Sequence, residues 1–432
     1  MKKKLCLPPI NFVSGEIFLP GSKSISNRVL LLSALSSGTT ILKNILYSDD
    51  VKYMLSALKK LGIVYKLTKQ NTECQISGSL KKFIKQKNKI LYLGNAGTAM
   101  RPLTAILSLN NKNIILTGDL QMQKRPINHL VDALRQGGVN IQYLKNINYP
   151  PIQITGNFIG GIIKVNGTIS SQFLSSLLLM APLAPKETNI FIKGNLVSKP
   201  YIDLTIKLIK KFGVKIKILK NYIHFQISGN QIYKTPKKYF IEGDATSATY
   251  FLAAAAIKGG TVTVHGLPKN SIQGDKNFYK VLKKMGANIR WENNSIICTR
   301  NFLTGITIDL NDMPDAAMTI AILGVFTDTP VKILNIYNWR VKETDRLKAM
   351  STELKKIGAK VIEGKDFLYI SRPKKIFSSE IETYNDHRIA MCFSLIALAE
   401  IKIIILNPQC VNKTFPKFFK KFSTLYQKKK IL

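Results

Sequence analysis

Leu19-Pro20-Gly21-Ser22-Lys23-Ser24-Ile25-Ser26-Asn27-Arg28 joins an apolar extended run, Val13 to Leu19, to a helical pattern that begins near Asn27 and continues through Leu30, Leu31, Leu32 and Leu35. Pro20 ends the strand, Gly21 frees the backbone, and Ser24 or Ser26 is expected to cap the helix. Lys23 and Arg28 flank the helix N-terminus, where free N–H groups and the dipole already favour an anion. Taken alone, the stretch is either an anion site or an ordinary strand-to-helix turn with two solvated cations. It is not a Walker A loop, which needs Gly directly before Lys; here Ser22 intervenes.

The same kind of turn recurs, each time ahead of an Ala/Leu/Met-rich helical pattern. The copies are Gly94-Asn95-Ala96-Gly97-Thr98-Ala99-Met100-Arg101, Thr168-Ile169-Ser170-Ser171-Gln172-Phe173, Gly243-Asp244-Ala245-Thr246-Ser247-Ala248, Pro314-Asp315-Ala316-Ala317-Met318-Thr319 and Asn385-Asp386-His387-Arg388-Ile389-Ala390, about 71 to 75 residues apart. A second marker keeps step. Helical runs stop at Gly62, Gly138, Gly213, Gly286 and Gly358, about 72 to 76 apart, where glycine is the expected stop signal. Strands are expected at Ile114–Leu116, Val214–Ile218, Val262–Val264 and Ile403–Ile405. The period is too long for a small solenoid unit and suits one βαβ-containing subdomain. Six copies divide into two sets of three, with a seam near Tyr239-Phe240-Ile241-Glu242-Gly243 after the turn-prone Lys234-Thr235-Pro236. The expected fold is therefore α/β with mixed sheets, in two domains of similar build. Parallel helices in each would open three N-termini on one face, and two opposed faces would make an anion-attracting cleft.

Composition sets the outer bounds. The 432 residues, 45% hydrophobic and 21% charged, suit two or three globular domains. Apolar runs fall short of the roughly 18 residues that span a bilayer. The basic start Met1-Lys2-Lys3-Lys4 is followed by Pro8-Pro9, so a signal peptide is not expected. Cys6, Cys74, Cys298, Cys392 and Cys410 are scattered and form no C-x-x-C pair, which suggests neither a disulfide framework nor a zinc site and fits a cytoplasmic protein. The net charge of +39 invites a polyanion partner. Yet lysines are spread in pairs, such as Lys59-Lys60, Lys210-Lys211 and Lys355-Lys356, rather than gathered in a stripe. Compositional drift accounts for that better than a nucleic-acid surface.

Asp244, Asp315 and Asp386 each sit in a helix-opening turn, and Asp49-Asp50 follow Ser48. Acid caps explain such positions, and a catalytic acid is the alternative at Asp315. Asn338-Trp339-Arg340-Val341-Lys342-Glu343-Thr344-Asp345-Arg346 packs three cations, two acids and an amide into nine residues at an expected helix start. It is either a surface helix laced with ion pairs or a cation clamp for phosphate and carboxylate, with Glu343 as proton carrier. Arg125 between Lys124 and Pro126, His387 in its turn and Lys413 before Thr414-Phe415-Pro416 each read individually as ordinary surface or structural residues.

Together these motifs resemble the 5-enolpyruvylshikimate-3-phosphate synthases, over essentially the whole chain. The most specific pieces are Leu93-Gly94-Asn95-Ala96-Gly97-Thr98-Ala99-Met100-Arg101-Pro102 and Arg340-Val341-Lys342-Glu343-Thr344-Asp345-Arg346. The resemblance implies a two-domain inside-out α/β barrel with three βαβαββ repeats per domain. One lobe would be 21–241 and the other 1–20 plus 242–432, with a hinge near 20–21 and 240–243. It implies transfer of the enolpyruvyl group of phosphoenolpyruvate to the 5-hydroxyl of shikimate 3-phosphate, in aromatic amino acid and chorismate biosynthesis.

By resemblance, Lys23, Ser24 and Arg28 hold shikimate phosphate, and Ser170, Ser171, Gln172, Ser198, Tyr201, Asn338 and Lys342 complete that pocket. Gly97, Arg125, Arg346, Arg388 and Lys413, with Lys23 and Gln172, hold phosphoenolpyruvate. Asn95, Thr98 and His387 also bind substrate. Asp315 is the base on the 5-hydroxyl, and Glu343 with Lys23 handles the proton at the methylene carbon. Gly97, Thr98 and Pro102 match the pattern of enzymes in which glyphosate competes for the phosphoenolpyruvate site. The two substrates bring about six negative charges, which accounts for the cations. No metal or organic cofactor, specific nucleic acid or membrane is implied, and a monomer is expected. A sister enzyme that acts on UDP-N-acetylglucosamine shares the fold, but it carries a reactive Cys where this chain reads Gly118-Asp119-Leu120-Gln121-Met122-Gln123-Lys124.

Overall fold

The structure is a computed structural model that describes residues 3–85, 88–109 and 113–426. The start Met1-Lys2 and residues 427–432 lie outside the described residues. The chain divides into two compact units, Gly21–Ile241 and Met1–Pro20 with Glu242–Leu432.

One strand pattern recurs in both units. Two parallel strands lie side by side, and an antiparallel hairpin pairs onto the second. In the Gly21–Ile241 unit the sheets run, edge to edge, Lys89–Tyr92, Ile114–Thr117, Ile152–Thr155, Asn140–Tyr143; then Gly161–Asn166, Thr188–Lys193, His224–Ile227, Lys217–Leu219; and Lys238–Phe240, Gly38–Lys43, Glu73–Gly78, Val64–Thr68. In the other unit they run Gly15–Phe18, Thr261–His265, Ser295–Thr299, Asn288–Trp291; then Thr307–Asp309, Val331–Leu334, Leu368–Ser371, Lys360–Glu363; and the shorter Ser379–Ile381, Ile403–Leu406, Lys4–Leu7. Distant segments complete three of these sheets. Lys238–Phe240 lies parallel to Gly38–Lys43, Gly15–Phe18 parallel to Thr261–His265, and Lys4–Leu7 antiparallel to Ile403–Leu406.

The six helices that follow the recurring turns are apolar nearly all round and form the cores. They are Lys23–Leu35, Gly97–Leu107 and Ser171–Met180 in one unit, and Ala245–Lys258, Ala317–Leu323 and His387–Phe393 in the other. Such a helix must be covered on every side. Polar links tie equivalent positions together within these cores. Asn27 Nδ2 donates to Thr98 Oγ1 at 2.6 Å, and Thr249 Oγ1 meets Thr319 Oγ1 at 2.9 Å. A second set bears a buried face only. These are Asp49–Lys60, Asn128–Gln136, Lys199–Lys211, Phe278–Lys284 and Arg346–Lys356. Each is followed by one of the anticipated glycines, with φ of 82, 97, 82, 108 and 95° at Gly62, Gly138, Gly213, Gly286 and Gly358.

Three local expectations change. The first helix begins at Lys23, with Ser22 at its N-cap and no side-chain cap. Ser24 and Ser26 lie inside it, and Ser26 Oγ instead accepts from Leu46 N at 3.3 Å. The start comes early because the chain turns abruptly: a Cβ at Gly21 would lie 1.8 Å from the Asn44 carbonyl oxygen. The Val214–Ile218 alternation is strand only from Lys217 onward. Val214 is buried and Lys215 N donates to the Gln231 side chain at 3.2 Å, in place of a ladder bond.

Candidate active site

In the unit containing 242–432, the segment 338–346 is not a surface helix. A 3-10 turn, Tyr337–Val341, leads through an irregular link to the helix Arg346–Lys356. The link exists because Asp345 caps the helix through Lys348 N at 3.1 Å, and Arg340 Nη1 donates back to Asp345 at 2.9 Å. This aims Arg346 inward, with only 1% of its side chain exposed. Its guanidinium meets three carboxylates: Nε donates to Asp386 at 2.8 Å, Nη1 to Asp315 at 2.8 Å, and Nη2 to Glu343 at 2.9 Å. Burial lowers the arginine's proton affinity, but Asp386, Glu343 and Asp315 more than offset that and raise it.

Asp315 is the shared acceptor. Arg388 Nη2 donates to its second oxygen at 2.8 Å, and Lys342 Nζ lies 3.9 Å from its first. Burial pushes the carboxyl up, yet Arg388, Lys342 and Arg346 together hold it well below the usual carboxylate range. The acid-cap reading of Asp315 fails, since the following helix has no side-chain cap there. It holds for Asp244 and Asp386, which accept from Ser247 N at 2.7 Å and Arg388 N at 2.9 Å. Lys413, at the end of the turn Pro408–Lys413, brings Nζ within 3.9 Å of Glu343. Asn338 and His387 are buried beside these groups in sequence, and His387 Nδ1 is 3.6 Å from Asp386.

In the Gly21–Ile241 unit, Lys23 Nζ is 3.4 Å from Asp50, whose carboxylate also accepts from Thr98 Oγ1 at 3.4 Å. Arg28 ties three helices together. Its Nη1 donates to Ser24 O at 3.0 Å, its Nε to Thr205 Oγ1 at 2.9 Å and its Nη2 to Ser175 Oγ at 3.5 Å. These partners are neutral, and burial lowers the guanidinium to about 10, with Tyr201 acting in the opposite sense. A buried cation among neutral dipoles is a site that gains from an anion. Ser170 caps Ser171–Met180 by accepting from Gln172 N at 3.2 Å, so Ser170, Ser171 and Gln172 open one helix. Ser198, at φ 55°, opens the helix bearing Tyr201.

Arg125 is buried rather than solvated, at 6% exposure. Its Nη1 donates to Asn95 Oδ1 at 2.9 Å and Asn95 O at 3.2 Å, while Asn95 Nδ2 donates to Gln121 at 2.9 Å. Arg101 Nη2 fixes the adjoining backbone at Pro126 O, 3.1 Å away. Gly97 lies directly under this pair: a Cβ there would be 2.8 Å from Arg101 Nη1 and 2.9 Å from Arg125 Nη2.

Thus Lys23, Thr98 and Asp50 come together, as do Asn95, Gly97 and Arg125, and the set Asp315, Lys342, Glu343, Arg346, Arg388 and Lys413. Sequence reading passed over Asp50, Arg101, Tyr250 and Asp386 as participants. Asp50 and Asp386 stood among acids explained as caps, and only their burial, 2% and 0% exposed, marks them as more.

The chain also matches known proteins. Residues 7–422 match the family model described as EPSP synthase (3-phosphoshikimate 1-carboxyvinyltransferase). The 3-phosphoshikimate 1-carboxyvinyltransferase of Buchnera aphidicola subsp. Cinara cedri is 62% identical over 98% of each chain. That of Proteus mirabilis is 57% identical over 98% of this chain and 99% of its own. Among solved structures, EPSP synthase from Acinetobacter baumannii superposes with a TM-score of 0.81 at 27% identity, over 99% of this chain and 98% of that one. A match of this extent and identity settles the lineage: the chain belongs to the EPSP synthase (3-phosphoshikimate 1-carboxyvinyltransferase) family.

Proposed function

We infer that the chain transfers the enolpyruvyl group of phosphoenolpyruvate to the 5-hydroxyl of shikimate 3-phosphate, releasing phosphate, as a step of aromatic amino acid and chorismate biosynthesis. The single observation that carries the reading, within this family, is the carboxylate of Asp315 held between Arg346 and Arg388, both at 2.8 Å.

The chemistry follows from the charges. Attack of an alcohol on the enol carbon needs a base at the hydroxyl and an acid at the methylene, each within hydrogen-bond reach. Asp315 takes the hydroxyl proton and Glu343, with Lys23, delivers one to the methylene. Elimination then returns a proton to Glu343 as the carbon–oxygen bond to phosphate breaks, and the proton taken by Asp315 leaves with the phosphate, which restores both acids. Against the opposing effect of burial, Arg388, Lys342 and Arg346 hold Asp315 ionised and weaken it as a base. Anionic substrates take up those cations: Arg346 and Arg388, with Arg125, Gly97, Gln172 and Lys413, on phosphoenolpyruvate, and Lys342 with Lys23, Ser24, Arg28, Ser170, Ser171, Ser198, Tyr201 and Asn338 on shikimate 3-phosphate. Their charge is then shared, and Asp315 regains basicity where it is used. Asn95 sets Arg125, Thr98 borders Lys23, and His387 lies on the helix that carries Arg388.

The chain crosses between its units at residues 20–21 and 241–242, which are the hinge segments of this reading. Five free cysteines, four of them buried, support a cytoplasmic setting. Among the described residues no helix is long and apolar enough to cross a membrane. The reading takes the protein as a monomer acting on two small molecules, without nucleic acid or membrane. Phosphate release from phosphoenolpyruvate in the presence of shikimate 3-phosphate tests it, with Asp315→Asn as control.

A further inference from the structure

We propose that Asp275, a buried acid with one hydroxyl partner, is a positioning residue for this transfer that governs how freely Arg388 and Asp315 meet the anionic substrates; the proposal rests on the functional reading above. Asp275 lies in the 3-10 turn Gly274–Asn277 and is 3% exposed. Its Oδ2 takes the hydroxyl of Thr246, in the first turn of Ala245–Lys258. Its Oδ1 is buried with no hydrogen-bond partner among the described residues. Among the described residues no cation forms an ion pair with it. The charged groups that act on it most strongly are Asp315 ahead of Ala317–Leu323, Arg388 on His387–Phe393 and Asp244 at the cap of Ala245–Lys258.

A carboxylate buried with one hydroxyl for company is disfavoured in its charged form. Burial first, then the charge of Asp315, push Asp275 up to about 7, against the Thr246 hydrogen bond and Arg388, with Asp244 adding to the rise. Arg388 donates to the Asp315 carboxylate at 2.8 Å and to the Tyr250 hydroxyl at 3.3 Å, and Tyr250 stands one turn after Thr246 on Ala245–Lys258. Above about pH 7, a second carboxylate competes for the same guanidinium and repels incoming phosphoenolpyruvate. Asp275 thereby sets how strongly Arg388 holds substrate, without needing to touch it. If it served only to brace the start of the helix, replacing it by an amide would have no pH signature.

The test compares wild type with Asp275→Asn across roughly pH 5.5 to 9. At about pH 6 the two are expected to match in kcat within about twofold, since asparagine resembles the protonated acid. As pH rises, the wild-type KM for phosphoenolpyruvate should climb about three- to tenfold relative to the variant, the effect of one added charge at this range. Taking the ratio removes the titration of the substrate's own phosphate. Thr246→Val should move the midpoint of that climb upward, because the lost hydrogen bond favours the charged acid. A second readout is independent of turnover. Between about pH 4 and 7 the melting temperature of Asp275→Asn should rise relative to wild type and then level off, because the folded wild type binds its proton more tightly than the unfolded chain does. A KM ratio flat with pH, or a folded variant inactive at every pH, overturns the proposal. So does an unmoved midpoint in Thr246→Val. Loss of wild-type phosphate release strikes the functional reading instead, and the melting comparison still decides whether Asp275 titrates as described.

Discussion

Asp386 and Arg346 form a two-point buried contact: Nε meets Oδ2 at 2.8 Å and Nη2 meets Oδ1 at 3.3 Å. The same carboxylate caps its helix by accepting from Arg388 N at 2.9 Å. One acid therefore orients both arginines that flank Asp315. Asp386→Ala takes from the buried Arg346 one of its three carboxylates, leaving Asp315 and Glu343, removes the cap of the following helix, and is expected to cost about 3–5 kcal/mol of stability. Denaturant unfolding measures this, and a loss below about 1 kcal/mol would place the pair outside the class of buried, uncompensated charges.

Asp315→Asn keeps the shape of the site and removes the base. Turnover should fall about 10²- to 10⁴-fold. The phosphoenolpyruvate KM should shift far less, because Arg346 and Arg388 remain held by Glu343, Asp386 and Tyr250. Steady-state kinetics with both substrates varied will separate the two effects, and unchanged turnover would remove Asp315 from its role.

Acid should destabilise the protein partly through this residue. The Asp315 pKa in the folded state is depressed by Arg388, Lys342 and Arg346, against the opposing pull of burial. Its contribution is therefore present above the unfolded value of about 4 and is lost as pH falls below it. Melting temperatures of wild type and Asp315→Asn should accordingly converge between about pH 5 and pH 2. A gap that stays constant would show that the depressed carboxyl does not report on stability.

Gly97→Ala places a methyl against Arg125 and Arg101, at 2.9 and 2.8 Å from their guanidinium nitrogens. Both are side-chain tips, so they can yield, but Arg125 must then turn from its bond to Asn95. The expected result is a phosphoenolpyruvate KM raised on the order of tenfold, with glyphosate inhibition weakened at least as much and the fold intact. Inhibition curves at fixed substrate check it; unchanged KM and inhibition would separate Gly97 from the phosphoenolpyruvate site.

Much of this architecture was legible because helix starts and stops have local causes. Gly62, Gly138, Gly213, Gly286 and Gly358 mark the ends of amphipathic helices by backbone conformation alone. Strand partners have no such local cause. Nothing in Lys4–Leu7 announces that it pairs with Ile403–Leu406, or in Gly15–Phe18 that it pairs with Thr261–His265. Residue types at the site were likewise readable, but their roles depended on burial. Arg125 looks solvated beside Lys124 and Pro126, and Asp50 resembles its neighbour Asp49. Tertiary packing makes the difference, enclosing Arg125 under Gly97 and turning Asp50 toward Lys23.

Phosphate release by the purified wild-type protein, with phosphoenolpyruvate alone and then with shikimate 3-phosphate added, tests the central claim most directly. The account predicts release only when both are present, one phosphate for each enolpyruvyl group transferred. A folded protein that releases none with both substrates, or as much from phosphoenolpyruvate alone, would contradict it.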